Sequence, residues 1–199
     1  MTTATLGERA PALRLPSGQG REIGLDDYRG RNNAIVWFTK GMACAFCRQH
    51  MSQLARGYPQ FQALGAEILE IALTTPDRAR FYVDKFKIPF PYLCDPEYQA
   101  RRAWGLDARS HSMAWYAKTL YTGLTTPNPP SDFGEVKTKL TELPRLITDD
   151  DMGFFIVDRG GVVRYALTGS YVGDGGVRQI PGNDEILRTL ERCAEMPAP

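Results

Sequence analysis

Long apolar runs are absent from this sequence: no stretch approaches the roughly 20 apolar residues that a membrane-crossing helix needs. The first eleven residues, MTTATLGERAP, lack the apolar segment of a secretory leader, so a cytoplasmic location is expected. An excess of one charge is also missing. With 24 basic and 23 acidic residues, nothing argues for a nucleic acid or an anionic membrane as partner. Cysteine is scarce, at four, which is too few for a disulfide scaffold in 199 residues. In a reducing compartment a close pair then points to catalysis or to metal. Internal repeats and low-complexity linkers are absent as well, so one domain is expected over residues 1–199.

What is present is ordinary for a globular core, 43% hydrophobic and 24% charged, with one stretch that stands out. Residues 34–54, AIVWFTKGMACAFCRQHMSQL, open with a β-branched and aromatic strand, Ala34 to Thr39. A short loop with Gly41 follows, and Cys44-Ala45-Phe46-Cys47 then starts a helix. A C-x-x-C between strand and helix is the pattern of a thiol redox site. The first helical turn presents free N–H groups and the positive end of the dipole, which favour thiolate over thiol. Cys47, Met51, Leu54, Tyr58, Phe61 and Leu64 recur at steps of three and four and form the core-facing stripe. Cys47 therefore faces inward, while Cys44 sits off the stripe at the exposed tip. Pro59 is expected to kink this helix and Gly65 to end it.

Around this stretch the chain alternates strand and helix. Residues 5–33, rich in Pro and Gly, predict a small hairpin. Ala66 to Thr74 and Phe90 to Cys94 read as strands. Thr75-Pro76-Asp77 and Asp95-Pro96-Glu97 read as helix starts, with a capping residue followed by proline. The first helix runs to about Phe86 and the second to near Gly105. Residues 107–151 break the pattern as a long insertion, with SMAWYAKTLYTGL and EVKTKLTEL helical in character. Gly153 to Asp158 and Val162 to Leu167 form a hairpin about Arg159-Gly160-Gly161. The loop GSYVGDGG reads as a flexible connection. Asn183 then caps a last helix with Ile186, Leu187, Leu190 and Cys193 on one face. The fold class is α/β, with a mostly parallel sheet covered on both faces.

In this order of elements the chain resembles the peroxiredoxin branch of the thioredoxin-like fold, the AhpC/TSA antioxidant family. The residues that carry the likeness are LGERAPALRL with IGLDDYRGRNNAIVWF, YLCDPEYQARRAWGL and MGFFIVDRGGVVRY. Within that family it is similar to the subgroup with C-x-x-C followed by arginine, here Arg48, and a long insertion before the last hairpin. The resemblance implies a central mixed sheet flanked by helices, an N-terminal hairpin, and the insertion at about 107–151. It also implies thiol-dependent reduction of hydrogen, alkyl or lipid peroxides, recharged by a thioredoxin- or glutathione-type reductant, in a chain that can form a homodimer. Aligning Cys47 with the family's peroxidatic cysteine puts Cys44 where the family has threonine, Lys40 where it has proline and Met152 where it has arginine. Those activating groups are thus absent or supplied by other residues.

Each candidate has a plainer alternative. For Cys44 and Cys47 it is a pair of small residues buried at a helix start. Exposure favours Cys44 as nucleophile, whereas the alignment favours Cys47 as the sulfur oxidised to sulfenate, with Cys44 resolving it and exchanging with reductant. Lys40 and Arg48 can favour a thiolate or can be solvated surface residues. Cys44, Cys47 and His50 also make a C-x2-C-x2-H. A structural zinc site needs four ligands, and Cys94, His111 and Cys193 are each isolated in sequence, so neither metal nor other cofactor is expected. His50 is then a helix-surface residue, Cys94 and Cys193 are core, and Trp115, Tyr116 and Tyr121 pack, form a dimer contact or line a pocket. The alternatives to a peroxidase are a thioredoxin-like protein disulfide oxidoreductase and a non-enzymatic redox-sensing or interaction module.

Overall fold

The structure is a computed structural model that describes residues 4–106, 112–125, 130–134, 136, 151–173 and 176–195. Strands β1 (Arg14–Pro16) and β2 (Glu22–Gly24) form the expected N-terminal hairpin, with Leu15 opposite Ile23. The central sheet contains β3 (Asn33–Thr39), β4 (Ala66–Ala72), β5 (Tyr92–Cys94), β6 (Asp151–Val157) and β7 (Val163–Ser170). Its order is β5-β4-β3-β6-β7, parallel on the β5-β4-β3 side and antiparallel from β3 through β6 to β7. This is the mixed thioredoxin-like sheet. Two short strands, β8 (Val172–Gly173) and β9 (Gly176–Val177), make a separate ribbon after β7.

Alternation along β3 splits the core into two layers. Ile35 and Trp37 pack with residues of α1 (Ala45–Ala63), α2 (Pro76–Phe86) and the C-terminal helix, here α5 (Asn183–Glu195). Ala34, Val36 and Phe38 pack instead with the hairpin, Ala100 of α3 (Gln99–Ala103) and Trp104. Trp104 packs at a tilt against Phe38 and edge-on against Phe155, at 5.4 and 5.0 Å between ring centroids. Both central strands are fully buried, as continuous apolar runs require when helices or a hairpin cover both sheet faces. Burying one such side chain is worth about 1.5–3 kcal/mol.

The inward stripe of α1 is as its spacing predicts, with Cys47, Met51, Leu54, Tyr58 and Phe61 all in the core. The helix runs on through Pro59 to Ala63, and Gly65, at φ +67°, ends it. Several boundaries differ from expectation, among them the end of β4 at Ala72 instead of Thr74 and of β7 at Ser170 instead of Leu167. The strand before Cys94 begins only at Tyr92. The next helix starts at Gln99, because Tyr98 turns left-handed (φ +60°) and the Asp95 carboxylate reaches forward to accept from the Ala100 and Arg101 amides. At α5 the Gly182 carbonyl takes the first helical amides, and Asn183 spends its side chain on Gln53 of α1.

In the insertion, α4 (Met113–Thr125) is helical as expected, and EVKTKLTEL lies largely outside the described residues. Ser131 and Asp132 dock on α1. The Ser131 hydroxyl donates to the Arg48 carbonyl at 3.2 Å, the Asp132 amide donates to Ser52 Oγ at 2.9 Å, and Arg56 pairs with the Asp132 carboxylate. The insertion is therefore anchored one to three turns behind Cys44.

Candidate active site

The turn between β3 and α1 is held from four directions. Gly41 stands at φ +78°, and a Cβ there would lie 2.6 Å from the Tyr92 hydroxyl, so glycine is required twice over. Tyr92 Oη accepts from the Met42 amide at 3.3 Å, and Thr39 Oγ1 accepts from the Gly41 amide at 3.1 Å. Tyr171 Oη accepts from the Lys40 amide at 3.3 Å. The Arg48 guanidinium reaches back to the Met42 carbonyl at 2.7 Å. Cys44 then takes the N-cap position of α1, its amide donating to the Gly41 carbonyl.

The two sulfurs are free thiols in unlike surroundings. Cys44 is half-buried at the helix tip and Cys47, one turn on, is wholly buried. The hydrogen bond from Cys47 is the strongest influence on Cys44 and, with the Cys47 and Phe46 amides and the Lys40 ammonium, lowers its thiol from the ordinary 9.0 to about 7 against the opposing effect of burial. Burial first, then the bond to and charge of Cys44, push Cys47 well above 9.0. The Thr39 and Tyr171 hydroxyls oppose that rise, and the Cys47 thiol lies 3.6 Å from Tyr171 Oη. The stripe-based split into an outer Cys44 and an inner Cys47 is thus present in space.

Three expectations about neighbouring residues need correction. His50 is fully buried, with Nε2 3.1 Å from Gln179 Oε1 and its ring edge-on to Trp37, because its helix face turns under the C-terminal segment. Burial lowers its pKa below 6.5. Arg48 is buried rather than solvated. GSYVGDGG is no mere connection: its Tyr171 enters the core and joins the site. Lys40 lies over the Tyr171 ring, 5.4 Å from its centroid, as well as influencing Cys44.

His50 is turned toward Gln179, and His111 lies outside the described residues. Among the described residues no three His, Cys, Asp or Glu side chains converge as metal ligands. Cys94 and Cys193 are core residues, and burial raises both thiols, Cys94 to about 12. Trp115 and Tyr116 pack edge to face on each other at 5.3 Å, and Tyr121 is exposed.

Two further residues gave no functional signal in the sequence. Arg101 is buried and donates to the Asp151 carbonyl at 2.7 Å and the Thr39 carbonyl at 2.8 Å, tying together the ends of β3 and β6. It stands near Met152, where the resemblance leads one to look for arginine. Glu70 of β4 is fully buried, and neither carboxyl oxygen has a hydrogen-bond partner. An acid inside the apolar run ILEIA was the one available hint.

A family model described as the AhpC/TSA family matches residues 6–166. The chain belongs to the AhpC/TSA family. Among the relatives of this peroxiredoxin-like AhpC/TSA protein, a Mycobacterium tuberculosis protein provisionally named a peroxiredoxin is 31% identical over 104 residues, 52% of this chain and 66% of that one. The thiol-disulfide oxidoreductase ResA of Geobacillus thermodenitrificans is 30% identical over 53% of this chain and 60% of its own length. The chain thus spans less than two thirds of these curated relatives. Peroxiredoxin Q of Xanthomonas campestris has the same fold, with a TM-score of 0.63 at 16% identity over 92% of both chains.

Proposed function

We propose that this AhpC/TSA protein is a thiol peroxidase in which Cys44 strikes first and Cys47 resolves. The observation that carries the reading is the asymmetry of the pair: a half-buried N-cap thiol drawn down to about 7, bonded to a buried thiol that stays protonated. The Cys44 thiolate attacks one oxygen of a hydroperoxide and the O–O bond breaks. The departing oxygen takes a proton and leaves as alcohol or water, and Cys44 becomes a sulfenic acid. The Cys47 thiol then displaces water and forms the Cys44–Cys47 disulfide. Two thiols of a thioredoxin- or glutathione-type reductant, one dithiol or two monothiols, supply the two electrons that restore the pair, entering at the more accessible Cys44. This order departs from the alignment-based expectation that Cys47 meets the peroxide, because a wholly buried thiol with a raised pKa supplies little thiolate.

The family membership and the peroxiredoxin relatives support a peroxide substrate in general; its identity as hydrogen, alkyl or lipid peroxide, and a cytoplasmic setting, are part of the proposal. Homodimerisation belongs to the same proposal. In place of the family's usual activating groups, the reading rests on Lys40, the first-turn amides and Cys47 itself. A second reading, protein disulfide exchange, is favoured by the same low-and-high thiol pair, which suits attack on disulfides equally. Pre-reduced Cys44→Ser and Cys47→Ser proteins exposed to peroxide with a sulfenate trap separate the two. Trapped sulfenate on Cys44 in Cys47→Ser, and none in Cys44→Ser, is expected. No sulfenate in either variant, with insulin disulfide reduction intact in the parent, refutes the peroxidase and leaves exchange.

A further inference from the structure

Glu70 is a costly residue with no structural bond to show for it. It lies in the middle of β4, opposite Trp37 on one side and Tyr92 on the other. Ile68 and Ala72, which share its strand face, belong to the same core layer as Cys47. The side chain is wholly shielded from solvent, and no donor meets either oxygen. An unpaired carboxylate in such a place is prohibitive, so the group is held as a neutral acid. Burial is the first cause of that, and the charge it interacts with is that of Cys47. A leucine would fill the strand at lower cost.

We propose that Glu70 is the acid that protonates Cys47 when the Cys44–Cys47 disulfide is reduced. The inference rests on the redox pair proposed above. A reductant thiolate attacks the Cys44 sulfur, the S–S bond breaks, and its electron pair stays on Cys47. That leaves a thiolate in an apolar core. The Glu70 carboxyl, which is not hydrogen-bonded to Cys47 in the resting protein, passes its proton through one bridging water to the Cys47 sulfur, which becomes a neutral thiol, and the resulting carboxylate recovers a proton from solvent. A carboxyl is intrinsically the stronger acid, so at equal burial the proton belongs on sulfur. A second reductant thiol then frees Cys44.

The test uses full-length protein oxidised with diamide, so that no peroxide chemistry is needed. Reduction by dithiothreitol is followed from pH 6 to 9, with rates expressed per thiolate. In the parent the rate falls as Glu70 loses its proton. Glu70→Gln is expected to be slower, on the order of 10²-fold, and flat with pH. Glu70→Asp, which keeps an acid, is expected to retain the slope.

The other titratable groups near Glu70 do not mimic this slope. They are Cys47 from α1 and Tyr92 from β5, with Cys94 beside Tyr92. Cys47 is in the disulfide, Tyr92 is raised well above 10.0 and Cys94 to about 12, while His50, on α1, is lowered below 6.5. A Glu70→Gln protein that is reduced at the parent rate and slope overturns the inference. So does equal slowing in Glu70→Asp, which marks a packing defect, or the absence of a diamide-formed disulfide in the parent. If the Glu70 effect holds while the parent ignores peroxide, the peroxidase reading fails and the proton donor stands.

Discussion

The unequal acidity of the two cysteines has a direct chemical readout. With its thiol near 7 instead of the ordinary 9.0, about half of Cys44 is thiolate at pH 7, against about 1% for an unperturbed thiol. The ratio is about 50-fold, and alkylation by iodoacetamide follows the thiolate fraction. Pre-reduced protein pulsed with iodoacetamide from pH 5 to 9.5, then quenched and digested for mass spectrometry, should show Cys44 modified with a midpoint near 7. Cys47 should stay unmodified throughout. Because the bond from Cys47 is the largest cause, Cys47→Ala should move the Cys44 midpoint upward, while Cys47→Ser, which keeps a donor, should move it less. A Cys44 midpoint at or above 8.5, or Cys47 alkylated first, refutes the assignment of roles.

Other perturbations test the frame around the pair. Tyr171→Phe removes the acceptor of the Lys40 amide and a partner of Cys47, which should cost about 1–3 kcal/mol in thermal or denaturant unfolding and slow disulfide formation. Gly41→Ala combines a left-handed backbone with a 2.6 Å clash on Tyr92, so a loss of at least about 1 kcal/mol and a weakened Cys44 reactivity should appear together. Glu70 has a folded-state pKa raised above its ordinary 4.5, so its contribution to stability is fully present below 4.5 and is lost as pH rises toward the folded value. Denaturant melts of parent and Glu70→Gln should therefore diverge as pH rises above 4.5, the variant gaining stability relative to the parent. Parallel pH curves would mean that Glu70 is ionised in the folded protein.

The elements that the sequence revealed best are those with strong local patterning. The α1 stripe, the Thr75-Pro76 helix start and the β6–β7 hairpin each carry periodicity or turn chemistry within a dozen residues. Cys44 and Cys47 were legible for the same reason. Tyr171, Arg101 and Glu70 were not, because their roles come from contacts across the sheet. Tyr171 meets Cys47 from 124 residues away, and Arg101 reaches Thr39 across 62. His50 misled because its position on the helix does not reveal that Gln179 and Trp37 cover it. Asp95 misled because a side chain can cap amides five and six residues ahead and delay the helix.

The tether from Tyr171 also bears on synthesis. The cysteine pair leaves the ribosome well before Tyr171 and Gln179 do, and a partner 124 to 131 residues downstream cannot act until it has emerged and the chain has closed on itself. Until then the C-x-x-C helix lacks the phenol that holds its entry turn. The nascent protein therefore passes through a period in which its cysteines are present but their turn is not yet held by Tyr171, and they are open to mispairing with other thiols. Completion of the C-terminal quarter of the chain is what brings Tyr171 to the entry turn and to the Cys47 thiol.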